Sequence, residues 1–303
     1  MKIRPGELRA TPLLIALVQL ACGHVAGQQG SASAPPPAVP PNSASSRDEL
    51  PQVTLADADL PLARNGGVIE LEFDRMTGTA FPVVQDRAGK RHDLRSIYLD
   101  GAGIVLVVRE DETNITPLSD PLFDSFDGHR ESITAAELDN LARAHRRLPV
   151  APATAQCTSA GGQPPTLCTR YFLYGVVVDH LFEDERGPQP GTLGVMWDTS
   201  NRSQFAMFYR NAIVRSDGGK YLRSVAHEIG HAFNLHHEDG DGVSSIINQT
   251  KIVGDKYTYD FSAAEKAHLR EHTPQRCARP GAGSFASVDA VHSVHRGSKA
   301  DCK

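Results

Sequence analysis

His227-Glu228-Ile229-Gly230-His231-Ala232-Phe233-Asn234-Leu235-His236-His237 is the stretch on which the reading of this chain turns. Its first five residues spell HExxH. That spacing puts two imidazoles one turn apart on a single helical face, where both can ligate one zinc ion, with the glutamate between them placed as general base. Leu222, Val225, Ile229 and Phe233 recur at helical spacing, and at about 100° per residue they form one apolar stripe. His227 and His231 fall roughly opposite that stripe. A helix from about Lys220 to Asn234 can therefore pack on a core while its histidines face a cleft. A third ligand cannot come from the same helix. If the helix ran on, His236 and His237 would sit about 500° and 600° from His231, or roughly 140° and 240° after removing a turn. The helix has to break, and Asn234 is the residue suited to break it, because Asn tolerates the left-handed conformation nearly as well as Gly.

The full pattern, HExxHxxNxxH over residues 227–237, resembles the metzincin zinc-endopeptidase signature HExxHxxGxxH. The resemblance implies that His227, His231 and His237 hold Zn2+, that Glu228 is the general base, and that His236 points to solvent or to a hydrogen bond. It also implies an α+β fold: a twisted mixed β-sheet, an active-site helix beneath it and a C-terminal helix. A protein or peptide substrate would then lie along an edge strand, for which Leu193–Trp197 is the candidate; an interior strand fits the same residues equally well. Two positions depart from the family. Asn234 stands where the family has Gly, and the chain has no Met after Met207 to form the turn that underlies the metal. Ser245-Ile246-Ile247-Asn248 is the nearest match to that turn, with Ile247 in place of Met as an apolar floor.

Elsewhere the pattern alternates strand and helix. Val68–Phe73 reads as a half-buried strand, with Ile69, Leu71 and Phe73 inward and Glu70 and Glu72 outward. Ile104–Val108 reads as a central strand. Thr134 starts a helix, with Glu137 completing a capping box and Ile133 and Leu138 forming a hydrophobic staple; Pro149 marks its end. Tyr171–Val178, Leu193–Trp197 and Phe205–Val214 read as strands. A last helix begins at a second capping box, Ser262 to Glu265, and stops before Pro274.

The chain of 303 residues carries Lys plus Arg 31 against Asp plus Glu 36, and is 40 % apolar. No basic face for nucleic acid is expected from that balance, and no apolar run reaches the roughly 20 residues of a membrane-spanning helix. Residues 1–27 read as a signal peptide: Lys2, Arg4 and Arg9 precede the apolar stretch Leu13–Ala21. Leu20-Ala21-Cys22-Gly23 resembles a bacterial lipobox, with Gln19 off pattern, so the mature protein is expected to be secreted or anchored to the cell envelope through Cys22. Residues 28–50 are a Ser/Ala/Pro-rich linker, 51–94 an N-terminal β segment, 95–280 the metallopeptidase domain and 281–303 a C-terminal tail. Cys157, Cys168, Cys277 and Cys302 suit an oxidising compartment, Cys157 with Cys168 being the expected pair.

The remaining candidates are minor. His268 and His272 read as a solvated helix face, and Glu238, Asp239 and Asp241 as a charged turn. Two rival readings use the same residues: a thermolysin-like site with Glu265 as third ligand, and an exported zinc-binding module that hydrolyses nothing.

Overall fold

The computed structural model describes residues 50, 52–82, 84–85, 91–111, 114–115, 132–198, 200–235, 237, 245–248, 258–270 and 279–281. In chain order its elements are β1 (Val53–Leu55), α1 (Leu60–Gly66), β2 (Val68–Arg75), β3 (Val84–Gln85), β4 (Arg91–His92), α2 (Leu94–Ala102), β5 (Val105–Glu110), β6 (Ser132–Thr134), α3 (Ala135–His145), β7 (Ala153–Ser159), β8 (Thr166–Val178), β9 (Leu181–Asp184), β10 (Gly187–Gln189), β11 (Gly194–Val195), β12 (Gln204–Phe208), α4 (Ala212–Ser216), α5 (Gly218–Ala232) and α6 (Ala263–Arg270). The class is α+β, built on one mixed seven-stranded sheet.

The long strand β8 organises that sheet. Along one edge it pairs in parallel with β2, from Val68↔Arg170 to Arg75↔Val177. Its other edge takes β7 antiparallel near its start, then β12 in parallel near its end. The sheet closes with β1 beyond β7, β11 beyond β12 and β5 beyond β2. Residues 51–94 thus contribute two strands to this sheet, one of them flanked on both sides. Pulling β2 out would strip backbone partners from both β5 and β8.

Both sheet faces are covered. Ile69, Leu71, Phe73, Leu173, Phe205 and Met207 pack against the apolar sides of α2 and α5, and Leu222, Val225, Ile229 and Phe233 are all buried there, as the stripe requires. Tyr174, Val176, Val178, Ala206 and Phe208 face the other way, onto Leu138, Leu141 and Ala142 of α3. Each such side chain is worth about 1.5–3 kcal/mol of burial, so the sheet is a rigid platform beneath α5. Among the described residues, no helix is long and apolar enough to cross a membrane.

Several sequence expectations need correction. Glu70 and Glu72 are not solvent-facing; both are buried on the α3 side of β2, as is Asp74 after them. Alternation failed as a guide because that face is lined with partners for the carboxylates. Glu70 accepts from Arg109 at 2.9 Å and from the fully buried Arg170. Glu72 accepts from the backbone N–H groups of Arg147 and Leu148 at 2.7–3.0 Å. The strand at 104–108 lies at the sheet margin, pairing among the described residues with β2 alone. The expected strand Phe205–Val214 ends at Phe208, because the Asn211 side chain accepts from Ile213 N–H and starts α4. The capping box at Thr134 and Glu137 is present, with reciprocal bonds of 3.3 and 2.7 Å. Cys157 and Cys168 form the expected disulfide, their Cα atoms 6.0 Å apart. The leader, linker residues 28–49, Cys22, Cys277, Cys302 and the tail from 282 on lie outside the described residues.

Candidate metal centre

Helix α5 is N-capped by Asp217, whose side chain accepts from Lys220 N–H at 2.9 Å. It ends where the sequence says it must. Leu235 N–H reaches back to Gly230 O at 3.2 Å and Asn234 N–H to His231 O at 2.9 Å, the paired bonds of a Schellman motif. Asn234 carries the turn at φ 63°. The two carbonyls that this motif leaves over are met from elsewhere: Ala232 O by the buried Arg202 guanidinium at 3.0 Å, and Phe233 O by His268 at 2.9 Å. His268 is therefore a buried cap rather than part of a solvated face; His272 lies outside the described residues.

Past this break the chain returns, and three imidazoles converge. His227 Nε2 is 3.0 Å from His231 Nε2 and 2.9 Å from His237 Nε2. Each of the first two is oriented through its far nitrogen. His227 Nδ1 donates to Ile246 O at 2.9 Å, and His231 Nδ1 donates to Leu235 O at 2.7 Å. A carbonyl only accepts, so each of these Nδ1 atoms carries a proton, which leaves Nε2 as the ligating nitrogen of a neutral ring. Burial first, then the neighbouring His231 and His237, hold His227 well below its ordinary pKa, so it stays neutral. The donor set fits zinc: three imidazoles, the first two held through their far nitrogens by backbone carbonyls, converging from α5 and the chain beyond its end.

Glu228 lies on the adjoining face of α5 and is buried. The Met196 backbone N–H donates to its carboxylate, while burial pushes the carboxyl up to about 8. Gly194 lets the strand come this close: a Cβ there would lie 2.7 Å from Met207 Sδ and 2.8 Å from Glu228 Cγ. Strand β11 closes the sheet beside Glu228, pairing with β12 antiparallel and, among the described residues, with nothing beyond. Below the imidazoles sits the turn Ser245–Asn248. Ile247 is fully buried, and its Cδ1 lies 2.2 Å from where a Cβ on Gly230 would stand, so it packs directly on α5 between the first two histidines. Arg223, one turn before His227, donates to Ser245 O at 3.1 Å and also to Asn248 O.

No family model matches the sequence, and none of the curated proteins compared with it does. Among solved structures, a zinc-dependent peptidase from Methanocorpusculum labreanum (strain Z) is 15 % identical over 66 % of this chain and 99 % of its own, with a TM-score of 0.36. A likeness of that degree decides neither fold nor function.

The sequence placed His227, Glu228, His231 and His237 together, and the structure brings them together. His236 and the acidic turn 238–242 lie outside the described residues. Glu265 is not among the imidazoles: one oxygen accepts from Ser245 Oγ and the other from Ser262 N–H, so the thermolysin-like arrangement is not formed. Sequence reading missed Arg202, Arg223, His268 and the Met196 N–H, because each acts across the fold with no local spacing to betray it. A second cluster, Glu72, Asp74 and Asp111, also brings carboxylate oxygens within 4.8 Å of one another. Glu72 is already held there by two backbone N–H groups, and Asp111 by Arg147 at 2.8 Å.

Proposed function

We propose that this chain is an exported zinc endopeptidase of metzincin type, with His227, His231 and His237 as ligands and Glu228 as general base. The observation that carries this reading is the convergence of three imidazole nitrogens beside a buried carboxylate at the margin of a sheet. Zinc held there would supply a Lewis acid for the scissile carbonyl and an acidified water. The remaining work belongs to the chain. Glu228 takes a proton from the attacking water and hands it to the leaving amine. Met196 N–H fixes the carboxylate while it does so. The outer edge of β11 offers backbone groups to an extended peptide, aligning its scissile bond over Glu228. Asn234 supplies the bend that the family assigns to Gly, and Ile247 fills the floor that it assigns to Met. Export rests on the leader and linker of residues 1–50.

Incubating the full chain with a peptide library, with and without a chelator, tests the reading. Cleavage that stops on chelation and returns with zinc is expected. Zinc binding without any cleavage would leave the zinc-binding module as the function; no zinc binding would overturn both.

A further inference from the structure

Glu265 sits at the third position of α6, where a capping-box glutamate reaches back to the N-cap N–H. Here it is fully buried. One oxygen performs the cap, accepting from Ser262 N–H at 2.5 Å. The other accepts from the Ser245 hydroxyl at 2.7 Å. With its proton committed to Glu265, that hydroxyl turns a lone pair to Ile247 N–H at 3.1 Å. Between Ser245 and Ile247 lies Ile246, whose carbonyl is 2.9 Å from His227 Nδ1 and whose N–H donates to Asp260 O at 3.0 Å. Three hydrogen bonds, the last two joined through the Ile246–Ile247 peptide, thus run from one carboxylate on the C-terminal helix to the ring of His227. Burying a carboxylate is expensive, and a cap alone does not require it.

We infer that Glu265 is a positioning residue for the metal centre, acting through Ser245 and the Ile246 carbonyl to set the orientation and basicity of His227. The inference rests on the zinc reading of the site. It makes α6 part of the metal-binding apparatus although no residue of α6 touches the ion. Partners that orient a ligating imidazole from behind are worth roughly 10- to 100-fold in metal affinity.

The variants separate the link from the cap. Ser245→Ala breaks the link and keeps the cap, Ser262→Ala weakens the cap and keeps the link, Glu265→Ala loses both, and Glu265→Gln keeps an acceptor for Ser245. Zinc affinity of the full chain is measured by chelator competition, the visible spectrum with Co2+ substituted, and folding by thermal denaturation. Ser245→Ala and Glu265→Ala should each lose roughly 10- to 100-fold in affinity and shift the cobalt bands. Their double variant should lose no more than the worse single, because both cut one path. Ser262→Ala should melt earlier yet bind zinc as the wild type does, and Glu265→Gln should recover most of the affinity. If Glu265→Ala does not fold, Ser245→Ala, which removes one hydroxyl, still decides. A wild type that binds zinc while Ser245→Ala binds it equally well overturns this inference alone. A wild type that binds no zinc overturns the reading beneath it.

Discussion

Gly230 and Ile247 offer a sharp test of how the floor of the site is built. A Cβ at Gly230 would stand 2.2 Å from Ile247 Cδ1, whereas Cγ1, the next atom back, is at 3.5 Å. Carbon atoms in contact prefer about 3.5–4.0 Å, so Gly230→Ala creates an overlap of about 1.5 Å with the terminal methyl and none with the rest of the chain. Forcing a methyl into a closed space costs about 1–3 kcal/mol, while exchanging Gly for Ala within a helix returns about 1. The single variant should therefore be destabilised by up to about 2 kcal/mol. It should also bind zinc more weakly, because the displaced turn carries the Ile246 carbonyl that holds His227. Ile247→Val alone removes the clashing methyl, leaves a small void and should cost about 0.5–1.5 kcal/mol. Together the two changes exchange one methyl for another in the same space. The double variant should regain wild-type stability or exceed it slightly, with a coupling of about 1–3 kcal/mol. Denaturant unfolding and zinc competition on the four proteins measure this directly. Additive effects, within about 0.5 kcal/mol, would refute the contact and remove Ile247 from beneath the ligands.

Three other outcomes follow. Asn234→Gly should leave zinc affinity intact, whereas Asn234→Val, which pays about 1–2 kcal/mol for the left-handed conformation, should weaken it without touching a ligand; chelator competition measures both, and equal affinities would contradict the helix-end geometry. Gly194→Ala pushes a methyl against Glu228 and should lower turnover on the order of 100-fold at unchanged zinc content, so unaltered kcat would place the strand elsewhere. Burial holds the Glu72 carboxyl at about 7 rather than 4.5. The folded state thus keeps this proton where the unfolded state has lost it, and the contribution, present in full below about pH 4.5, is lost as pH rises through about 7. In chelator-treated protein the loss should be about 3 kcal/mol, and Glu72→Gln should remove that part of the pH slope; an unchanged slope would contradict it.

What the sequence made legible was what short-range physics controls. The capping boxes at Thr134 and Ser262, the apolar stripe of α5, the break at Asn234 and the convergence of His227, His231 and His237 all follow from spacings of a few residues. What it hid was decided at long range. Glu70 and Glu72 looked like a wet strand face because nothing nearby announces that Arg170 and the 147–148 backbone will meet them. Asn211 ended a strand that apolar content alone would have continued. The sizes allowed at Gly194 and Gly230 are set by Met207, Glu228 and Ile247, so neither glycine could be told from an ordinary one. His268 looked like a solvated helix-face residue, and Glu265 like a cap alone, until the packing of α6 gave each a partner on another segment.

The central claim is that three imidazoles hold zinc while Glu228, which is not a ligand, moves the proton. Zinc content and peptide turnover, measured side by side for the wild type and Glu228→Gln, test it most directly. The account predicts about one zinc per chain in both proteins and near-complete loss of turnover in the variant alone. Equal turnover in the two, or loss of the metal with the carboxylate, would contradict it.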